Sequence, residues 1–520
     1  MLLTSLKSIL AVCALMQGEL SAAEAGDVAV GCSYEDTMAA EAKDEALNSA
    51  TTQREDIPPM LTTSWNQCGP YNDRCPEYSP GERCNAGCVA VAAGQVMRYF
   101  CFPEKGAGSR RHSDEVGGRT LELTADFGDT LYGWSAMKDS YEGDEDEESC
   151  EAVALLMEHL GISFAMDYAS GGANSSATML ATAGVGMIRD FLYSQEMRLE
   201  DRRCFSDKQW DTLIYEELRA GRPVLFKAED EGKQHAFVCD GYDAASGKYH
   251  FNWGWGGKSN GYYPLSDLAP AHGANNEAAH FNLNQQVIVG IRPRSEGDGK
   301  TPSVRTYGGV MPGKGEIDAS GLVTVKVARE DKDCFYSYIL SEGLERLVMG
   351  LELTSAETGE RHRVASHRVD ALRLGEGYRD ISVKWSRGLV PDGLYEVRPI
   401  AALCDAEGAL TTDWEYVRIP VDGETSFRMS IDDDRIRMWN ANTAEYEGIP
   451  DTTDDEVRIE GRSLIYAGIG AHGFSVMDLA GRTVARGIVG GETPCAPLSG
   501  LVPGLYLICC GGKTLKVLFD

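Results

Sequence analysis

A change of hydrophobic pattern near residue 293 constrains most strongly how this chain can fold. Upstream, helical patterns such as EAVALLMEHLGI and KQWDTLIYEELRAG alternate with short β-rich runs, the texture of an α+β domain. Downstream, short alternating runs such as LVTVKVA, YEVRPIA and FRMSI are separated by Gly, Asp and Pro turns, as in β-sandwiches. The charged segment RPRSEGDGKTPS between them is rich in Gly, Ser and Pro, which indicates a linker.

The length of 520 residues fits about three domains of ordinary size. We place an α+β domain at 57–296, a β-sandwich-like module at 297–430 and a small β domain, also sandwich-like, at 431–520. The middle module carries no motif with chemistry, so we expect a spacer or adhesion role for it.

The amino terminus predicts export. Lys7, an apolar run from Ser8 to Met16 and small residues up to Ala25 have the order of a secretory signal at residues 1–25. An apolar first helix of the mature fold, or a lipoprotein signal at Cys13, fits this order less well. Residues 26–56 are acidic and Ala-rich, typical of a mobile leader or short propeptide. No later segment approaches the ~20 apolar residues of a membrane helix.

Net charge excludes one class of partner. The 49 basic against 80 acidic residues leave a formal charge of −31, which repels phosphate backbones and anionic headgroups. We therefore expect no nucleic-acid partner.

The block CNAGCVAVAAGQVMRYF contains the strongest candidate for chemistry. Apolar residues at helical spacing predict a helix that begins at about Gly87-Cys88: Val89, Ala92, Ala93, Val96 and Met97. A thiol in a first helical turn meets unpaired N–H groups and the positive end of the helix dipole, which lower a cysteine pKa. Gly87 gives a substrate close access to the backbone. A buried structural cysteine is more common at such a position, so the position alone makes Cys88 a candidate nucleophile and no more.

A nucleophilic thiol needs a base, and His235 has the best setting among the nine histidines. It opens an alternating strand, HAFVCDGY, 147 residues downstream of Cys88. That separation lies within the ~130–150 residues of papain-like enzymes. A structural role is usual for a lone histidine at a strand start, but the pairing with Cys88 favours catalysis.

Five blocks across residues 57–293 resemble the streptopain family of secreted bacterial cysteine peptidases, which have a papain-like fold. These blocks are WNQCGPYNDRCP, GCVAVAAGQVMRYF, ISFAMDYASGGANSS, HAFVCDGY and HFNWGWGGKSNGYY. The resemblance implies that Cys88 is the nucleophile and His235 the general base. It also implies that the Gln67 amide completes the oxyanion hole with the backbone N–H of Cys88.

The resemblance further suggests that Asn252, shielded by Trp253, orients the histidine. A turn centred between Ala245 and Ser246, however, places Gly256 opposite His235 and Asn252 about 13 Å away along the strand. Contact then requires a glycine bulge among residues 254–257. Packing of Trp253 and Trp255 on the imidazole is the safer expectation, and an ordinary hairpin core is the alternative.

The loop YASGGANSS is flexible by composition. The resemblance places it beside the cleft, where Ser170 and Gly171, with Gly87 and Trp255, would bind substrate and shape a pocket for an apolar side chain. A plain linker would have the same composition.

The cysteines near the candidate nucleophile do not predict a metal site. Cys68, Cys75, Cys84 and Cys88 have no CxxC pair and no nearby histidine, unlike structural zinc sites. We expect instead a Cys68–Cys75 or Cys75–Cys84 disulfide in this exported chain, and neither a metal nor a cofactor.

The last segment resembles the C-terminal sorting domain of type IX secretion substrates, through Gly504-Leu505-Tyr506 and the hairpin around Lys513 to Lys516. This implies passage through an outer-membrane secretion machinery and a secreted or surface-anchored product. The short leader departs from the streptopain family, whose members carry a long inhibitory propeptide.

Together these features predict a secreted cysteine endopeptidase that acts on proteins and peptides through a Cys88–His235 dyad and a thioester. A surface adhesin on an inactive peptidase scaffold is the main alternative, and a transpeptidase with the same dyad is a further one.

Overall fold

The structure is a computed structural model of the chain. It describes residues 54–143, 145–169, 174–231, 233–273, 277–306, 309–329, 335–378, 381–432 and 435–440, and shorter stretches between 457 and 519. The chain divides into two compact units, Met1–Met438 and Trp439–Asp520.

Four α-helices lie among the described residues of the first unit: α1 (Cys88–Phe100), α2 (Glu147–Ser163), α3 (Leu180–Arg189) and α4 (Asp207–Arg219). A 3-10 turn, Arg202–Cys204, precedes α4. Asp146 caps α2 by accepting the N–H of Ser149, and a Ser206–Gln209 capping box starts α4. Side-chain caps therefore start α2 and α4, but α1 begins without one.

The first half contains twelve strands among its described residues. They are β1 (Glu77–Ser79), β2 (Glu82–Arg83), β3 (Ser109–Val116), β4 (Arg119–Asp126), β5 (Asp167–Tyr168), β6 (Ser176–Ala177), β7 (Arg198–Asp201), β8 (Val224–Asp230), β9 (Lys233–Asp243), β10 (Lys248–Asn252), β11 (Gly261–Tyr263) and β12 (Leu283–Val289). Six form an antiparallel sheet in the order β11-β10-β9-β8-β12-β7. The mixture of helices and sheet agrees with the α+β prediction for this region.

Both faces of this sheet are buried, because its strands alternate between two cores. On β9, Ala236 and Val238 join the core that contains α1. Phe237 and Cys239 point the other way, into the aromatic core that contains Trp210 of α4. The start of β9 thus lies between the α1 core and the aromatic core, which is where His235 is found.

Residues 304–440 form a second layered structure. Its strands are β13 (Val304–Arg305), β14 (Val310–Ile317), β15 (Leu322–Arg329), β16 (Phe335–Ser337), β17 (Glu345–Ser355), β18 (Arg361–Leu372), β19 (Gly377–Tyr378), β20 (Ile381–Ser386), β21 (Gly393–Leu403), β22 (Glu415–Tyr416), β23 (Phe427–Asp432) and β24 (Arg435–Asn440). The sheet β14-β15-β20 and the sheet β18-β17-β21-β23-β24 share one apolar core. We call this layered structure the sandwich; its last strand ends at Asn440, beyond the expected limit at 430.

The sandwich is joined to the edge strand β7 of the first sheet by a buried arginine. Arg305 is 2% exposed, and its guanidinium lies 3.6 Å from the ring centre of Tyr338. Its Nη2 donates to the carbonyl of Leu199 at 2.7 Å, and its Nη1 lies 3.5 Å from Asp201 Oδ2. A charge buried this completely is fixed in place by its partners.

A second contact lies at Glu342. Its carboxylate accepts bidentate hydrogen bonds from Arg110 of β3 and pairs with Arg189 of α3 at 3.2 Å. Leu340, close by, packs against Gly184 and Ile288. The sandwich and the α+β region therefore share both apolar and charged contacts.

The second unit is made of short strands in its described residues: β25 (Val457–Glu460), β26 (Ser463–Tyr466), β27 (Ala471–Met477), β28 (Thr483–Gly490), β29 (Cys495–Pro497), β30 (Gly504–Cys510) and β31 (Lys513–Phe519). They form the sheets β25-β26-β29 and β28-β27-β30-β31. The terminal strands β30 and β31 pair as a hairpin from Gly504↔Phe519 to Cys510↔Lys513. Across the part of the chain that the structure describes, no helix combines the length and apolar character needed to cross a membrane.

Candidate active site

Cys88 is the first residue of α1, as its sequence context predicts. The preceding residue, Gly87, has φ 91° and ψ 137°, a backbone conformation that L side chains rarely adopt. A Cβ there would lie 2.7 Å from Met166 Cε. Glycine is therefore required by backbone conformation and by packing against Met166, rather than only by the approach of a substrate.

The charge state of Cys88 is set by two opposing effects. Burial raises the pKa of its thiol, while backbone hydrogen bonds from Ala236, Val89 and Cys88 itself lower it. Burial is the larger effect, so the net direction is upward, contrary to the depression expected from the helix start alone. The hydrogen bond from the backbone of Ala236 places the sulfur beside β9, at the residue that follows His235 in the chain.

His235 is held by an aromatic cage and one backbone carbonyl. Its Nε2 lies 2.8 Å from the carbonyl oxygen of Trp253. Its ring stacks on Trp255, with centroids 4.5 Å apart and planes 20° apart, and Phe237 and Phe281 complete the surround. Burial lowers the pKa of His235 to about 4, and the hydrogen bond to Trp253 opposes this shift. A neutral imidazole that donates from Nε2 keeps Nδ1 as its basic nitrogen.

The hairpin that carries these residues has the expected turn and a bulge in a different place. Asp243 pairs with Lys248, as a turn centred between residues 245 and 246 requires. The register then shifts by one, so that Cys239 pairs with Phe251. The bulge thus lies within the β9–β10 ladder, and the glycines after β10 instead turn the chain so that the Trp253 carbonyl meets the imidazole.

Asn252 does not take the position of a direct histidine partner. It is 2% exposed, and its Nδ2 donates to the carbonyl of Thr63 at 2.7 Å. Its Oδ1 accepts from Gln95 Nε2 at 3.2 Å and from the N–H of Gly254 at 3.1 Å. These bonds occupy its amide, and the hydrogen bond of His235 Nε2 is made with the carbonyl of Trp253 instead of with Asn252, which the sequence had left as a candidate.

Gln67 lies next to the start of α1. Its carbonyl accepts the N–H of Ala86 at 2.9 Å, which ties it to the segment that enters Cys88. Two residues earlier, the carbonyl of Trp65 accepts the N–H of Gly256 at 2.9 Å. The backbone of this segment thus bridges the nucleophile side and the histidine side of the site.

The described ends of the predicted substrate loop lie against the same segment. Asn85 donates its N–H to the carbonyl of Asn174 at 2.9 Å, and Ser176 Oγ donates to the carbonyl of Asn85 at 2.7 Å. The two residues predicted to bind substrate, Ser170 and Gly171, lie outside the described residues.

The expected disulfide is wrong for this structure, in which Cys68, Cys75 and Cys84 are all free. Cys68 is exposed, with its thiol 3.4 Å from Asn85 Oδ1. Cys75 is buried and hydrogen-bonds Tyr168. Each thiol therefore has its own surroundings; among the described residues, no group of metal-binding side chains is found either.

Gln95 and Thr63 are the residues that the sequence reasoning missed. Gln95 is a fully buried amide on α1, seven positions after Cys88. Its sequence signal is a single polar residue within an otherwise apolar helical face, which burial makes costly unless the amide is hydrogen-bonded. Its Oε1 accepts from Thr63 Oγ1 at 3.0 Å.

Comparisons with known proteins show which family and relatives the chain is similar to. The model of the Peptidase C10 family matches residues 65–263. The chain is 34% identical over 264 residues to "Thiol protease/hemagglutinin PrtT" of Porphyromonas gingivalis, covering 48% of this chain and 30% of PrtT. It is 34% identical over 245 residues to streptopain of Streptococcus pyogenes, covering 44% of this chain and 60% of streptopain.

Among solved structures, active wild-type interpain A, a cysteine protease of Prevotella intermedia, is 34% identical. The match covers 45% of this chain and 94% of interpain A, with a TM-score of 0.41. The chain thus spans nearly all of that solved chain, but less than two thirds of the curated relatives: 30% of PrtT and 60% of streptopain.

Proposed function

This chain belongs to the Peptidase C10 family, and from that premise we propose that it is an exported cysteine endopeptidase that hydrolyses proteins through Cys88 and His235. The prediction of a streptopain-type peptidase is confirmed at the level of the family. The activity of the whole chain, its substrates and its partners are proposals.

The proposed reaction uses the neutral pair that burial favours. As Cys88 Sγ attacks the peptide carbonyl carbon, His235 accepts the thiol proton and the carbonyl oxygen becomes an oxyanion. The Gln67 amide and the Cys88 N–H donate to that oxyanion, a contribution of roughly 3–4 kcal/mol per donor in comparable enzymes. His235 then protonates the leaving amine, and a water activated by His235 hydrolyses the thioester to a free acid and thiol.

One observation carries this proposal. The residue next to His235 hydrogen-bonds the sulfur of Cys88, while the far nitrogen of the imidazole is fixed on the Trp253 carbonyl. These contacts support an arrangement in which the thiol at the start of α1 transfers its proton to an imidazole of fixed tautomer, as acyl transfer needs. Trp255 packs on the imidazole and Gly87 precedes the nucleophile, and we include both, with Ser170 and Gly171, in the substrate cleft.

We also propose the route of export. The signal at residues 1–25 would direct the chain across the inner membrane. The β30–β31 hairpin would serve as the type IX sorting element that engages an outer-membrane secretion machinery. Gly504 lies at one end of its ladder of paired residues and Lys513 at the other. Deletion of residues 441–520, which leaves strand β24 of the sandwich intact, should then retain the protein in the periplasm of a type IX-competent host, measured by cell fractionation.

Thiol labelling tests the proposed chemistry. We expect iodoacetamide at pH 6 to modify Cys88 of the purified mature chain faster than the exposed Cys68, because only Cys88 has a neighbouring base. Mass-spectrometric mapping identifies the labelled residue. The wild type should cleave casein, and Cys88→Ala should reduce cleavage at least about 1000-fold, as loss of a nucleophile does in related triads.

Cys68→Ala is the matched control, since it removes a nearby, more exposed thiol and should leave casein cleavage unchanged. Equal cleavage by Cys88→Ala and wild type would overturn the peptidase proposal. An unreactive Cys88 in a protein that does not cleave casein would do the same, and the adhesin interpretation would replace it.

A further inference from the structure

Gln95 joins the helix of the nucleophile to two other parts of the site. Its side chain is buried completely on α1, on the helix that begins with Cys88. Oε1 accepts from Thr63 Oγ1 at 3.0 Å and from the N–H of Trp65 at 3.2 Å, and Nε2 donates to Asn252 Oδ1 at 3.2 Å. One amide therefore contacts the segment before the oxyanion-hole candidate and the last residue of β10.

Asn252 extends this contact to the histidine. Its Oδ1 also accepts the N–H of Gly254 at 3.1 Å, so the peptide units on either side of Trp253 are fixed. The N–H of Trp253 donates to Asn260 Oδ1 at 3.0 Å, and its carbonyl accepts from His235 Nε2 at 2.8 Å. The position of that carbonyl, and hence of the imidazole, depends on the Gln95–Asn252 pair.

The same pair holds the segment that leads to the oxyanion-hole candidate. Asn252 Nδ2 donates to the carbonyl of Thr63 at 2.7 Å, which closes a ring of hydrogen bonds through Gln95. The carbonyl of Trp65 accepts from Gly256 at 2.9 Å, and Gln67 follows two residues later. Nucleophile, base and oxyanion donor are thus attached to one buried network.

Burial makes the network selective for a single geometry. Gln95 is 0% and Asn252 2% exposed, so water cannot replace a lost bond. Gly254 has φ +69°, and a Cβ on it would lie 3.2 Å from Val91 Cγ1 of α1, which shows how closely this loop lies against the helix. A displaced amide would therefore move the carbonyl that fixes His235.

We propose that Gln95 is a positioning residue of the peptidase, which holds His235 through Asn252 and the Trp253 carbonyl and holds Gln67 through Thr63 and Trp65. The inference rests on the proposed function. In this proposal Gln95, on the same helix as Cys88, orients His235. A direct contact between Asn252 and His235 would otherwise have that role.

The test compares Gln95→Met, which keeps the length of the side chain and removes its hydrogen bonds, with Tyr132→Phe in the full mature chain. Tyr132→Phe removes a buried hydrogen bond of similar length, between its hydroxyl and His159 Nδ1 at 3.0 Å, away from the site. We expect Gln95→Met to lower kcat for fluorescein-labelled casein by roughly 10- to 100-fold with little change in KM. It should also slow alkylation of Cys88 at pH 6, whereas Tyr132→Phe should change neither.

Thermal melts of both variants separate positioning from folding. If Gln95→Met does not fold, Thr63→Val, which removes one hydroxyl donor to Gln95 at constant shape, is measured in its place and should lower kcat by a smaller factor. The inference fails if Gln95→Met folds and its kcat and alkylation rate match those of Tyr132→Phe. The same holds for Thr63→Val where it is measured in place of Gln95→Met. Either result leaves the proposed function standing. A wild-type chain that neither cleaves casein nor labels at Cys88 overturns the proposed function, and this inference with it.

Discussion

At the scale of single residues, burial determines the charge states of Cys88 and His235, the two residues of the proposed dyad. It raises the pKa of Cys88 and lowers that of His235 to about 4, so both effects favour the neutral pair. An imidazole that stays unprotonated in weak acid can accept the thiol proton well below pH 6. The aromatic rings around His235 thus extend the range of pH in which the base is available.

This predicts an acid limb near pH 4 in the rate of Cys88 alkylation by iodoacetamide. Below that pH His235 is protonated and accepts no proton, so the rate should fall; above it the base is free. Trp255→Ala should admit water to the imidazole and move the limb toward the ordinary histidine pKa of about 6.5. Mass-spectrometric rates between pH 3 and 8 measure both.

Trp134→Phe serves as the control, because Trp134 is a buried indole that donates to the carbonyl of Pro103, outside the site. It should leave the limb in place. A wild-type limb already at pH 6.5, or a Trp255→Ala limb unchanged from wild type, would contradict the role given to burial.

The two residues of the proposed dyad could be nominated from the sequence, but the contacts around them could not. A thiol at a helix start and a histidine at a strand start are visible in local patterns, and their separation fits a known family. The partner of the histidine is a main-chain carbonyl, which has no residue identity to detect. The Gln95–Asn252 contact joins positions 157 residues apart, and only the folded chain brings them together.

At the scale of elements, the start of α1 depends on Gly87. It has a positive φ and no side-chain cap, and Met166 fills the space where a Cβ would lie. The segment around Met166 is itself held by β3, because His112 Nε2 lies 2.7 Å from the carbonyl of Met166. The geometry of the nucleophile is therefore set from outside its own helix.

Gly87→Ala should lower the free energy of unfolding by about 1–3 kcal/mol and also lower kcat, because strain and the contact with Met166 displace the first turn of α1. Gly81→Ala is a matched control: it has φ +76° with open space around its Cβ position, so it should incur only the backbone cost and keep kcat. Urea unfolding and casein kinetics measure the two quantities. Equal kcat values for the two variants would refute the prediction.

Helices and strands were easier to predict than the pairing of residues between neighbouring strands. The turn of the β9–β10 hairpin follows from composition, whereas its bulge follows from tertiary contacts. Asp240, the unpaired residue at the bulge, is fully buried, with Oδ1 2.6 Å from His250 Nδ1 and Oδ2 accepting the N–H of Leu61. Such distant partners leave no periodic pattern in the sequence.

At the scale of the whole molecule, the sandwich is attached through Arg305. Arg305→Met should destabilise the first unit by about 1–3 kcal/mol, since it removes the hydrogen bond to the Leu199 carbonyl and the attraction to Asp201. Urea unfolding followed by tryptophan fluorescence measures the loss. Cys88 alkylation in the native state should remain unchanged.

Arg346→Met provides the comparison, because Arg346 pairs with Asp370 at a side-chain exposure of 44%, where ion pairs contribute little. Equal unfolding free energies for Arg305→Met and Arg346→Met would show that the buried arginine does not stabilise the junction.

The buried junction also bears on how the cleft meets a substrate. Contacts at Arg305 and, in a second place, at the neighbouring Glu342 and Leu340 connect the sandwich to the α+β region, and two separate contacts oppose rotation of one against the other. The proposed substrate cleft therefore keeps one orientation relative to the sandwich. Any surface that engages the sandwich would then determine which bonds of a neighbouring protein come within reach.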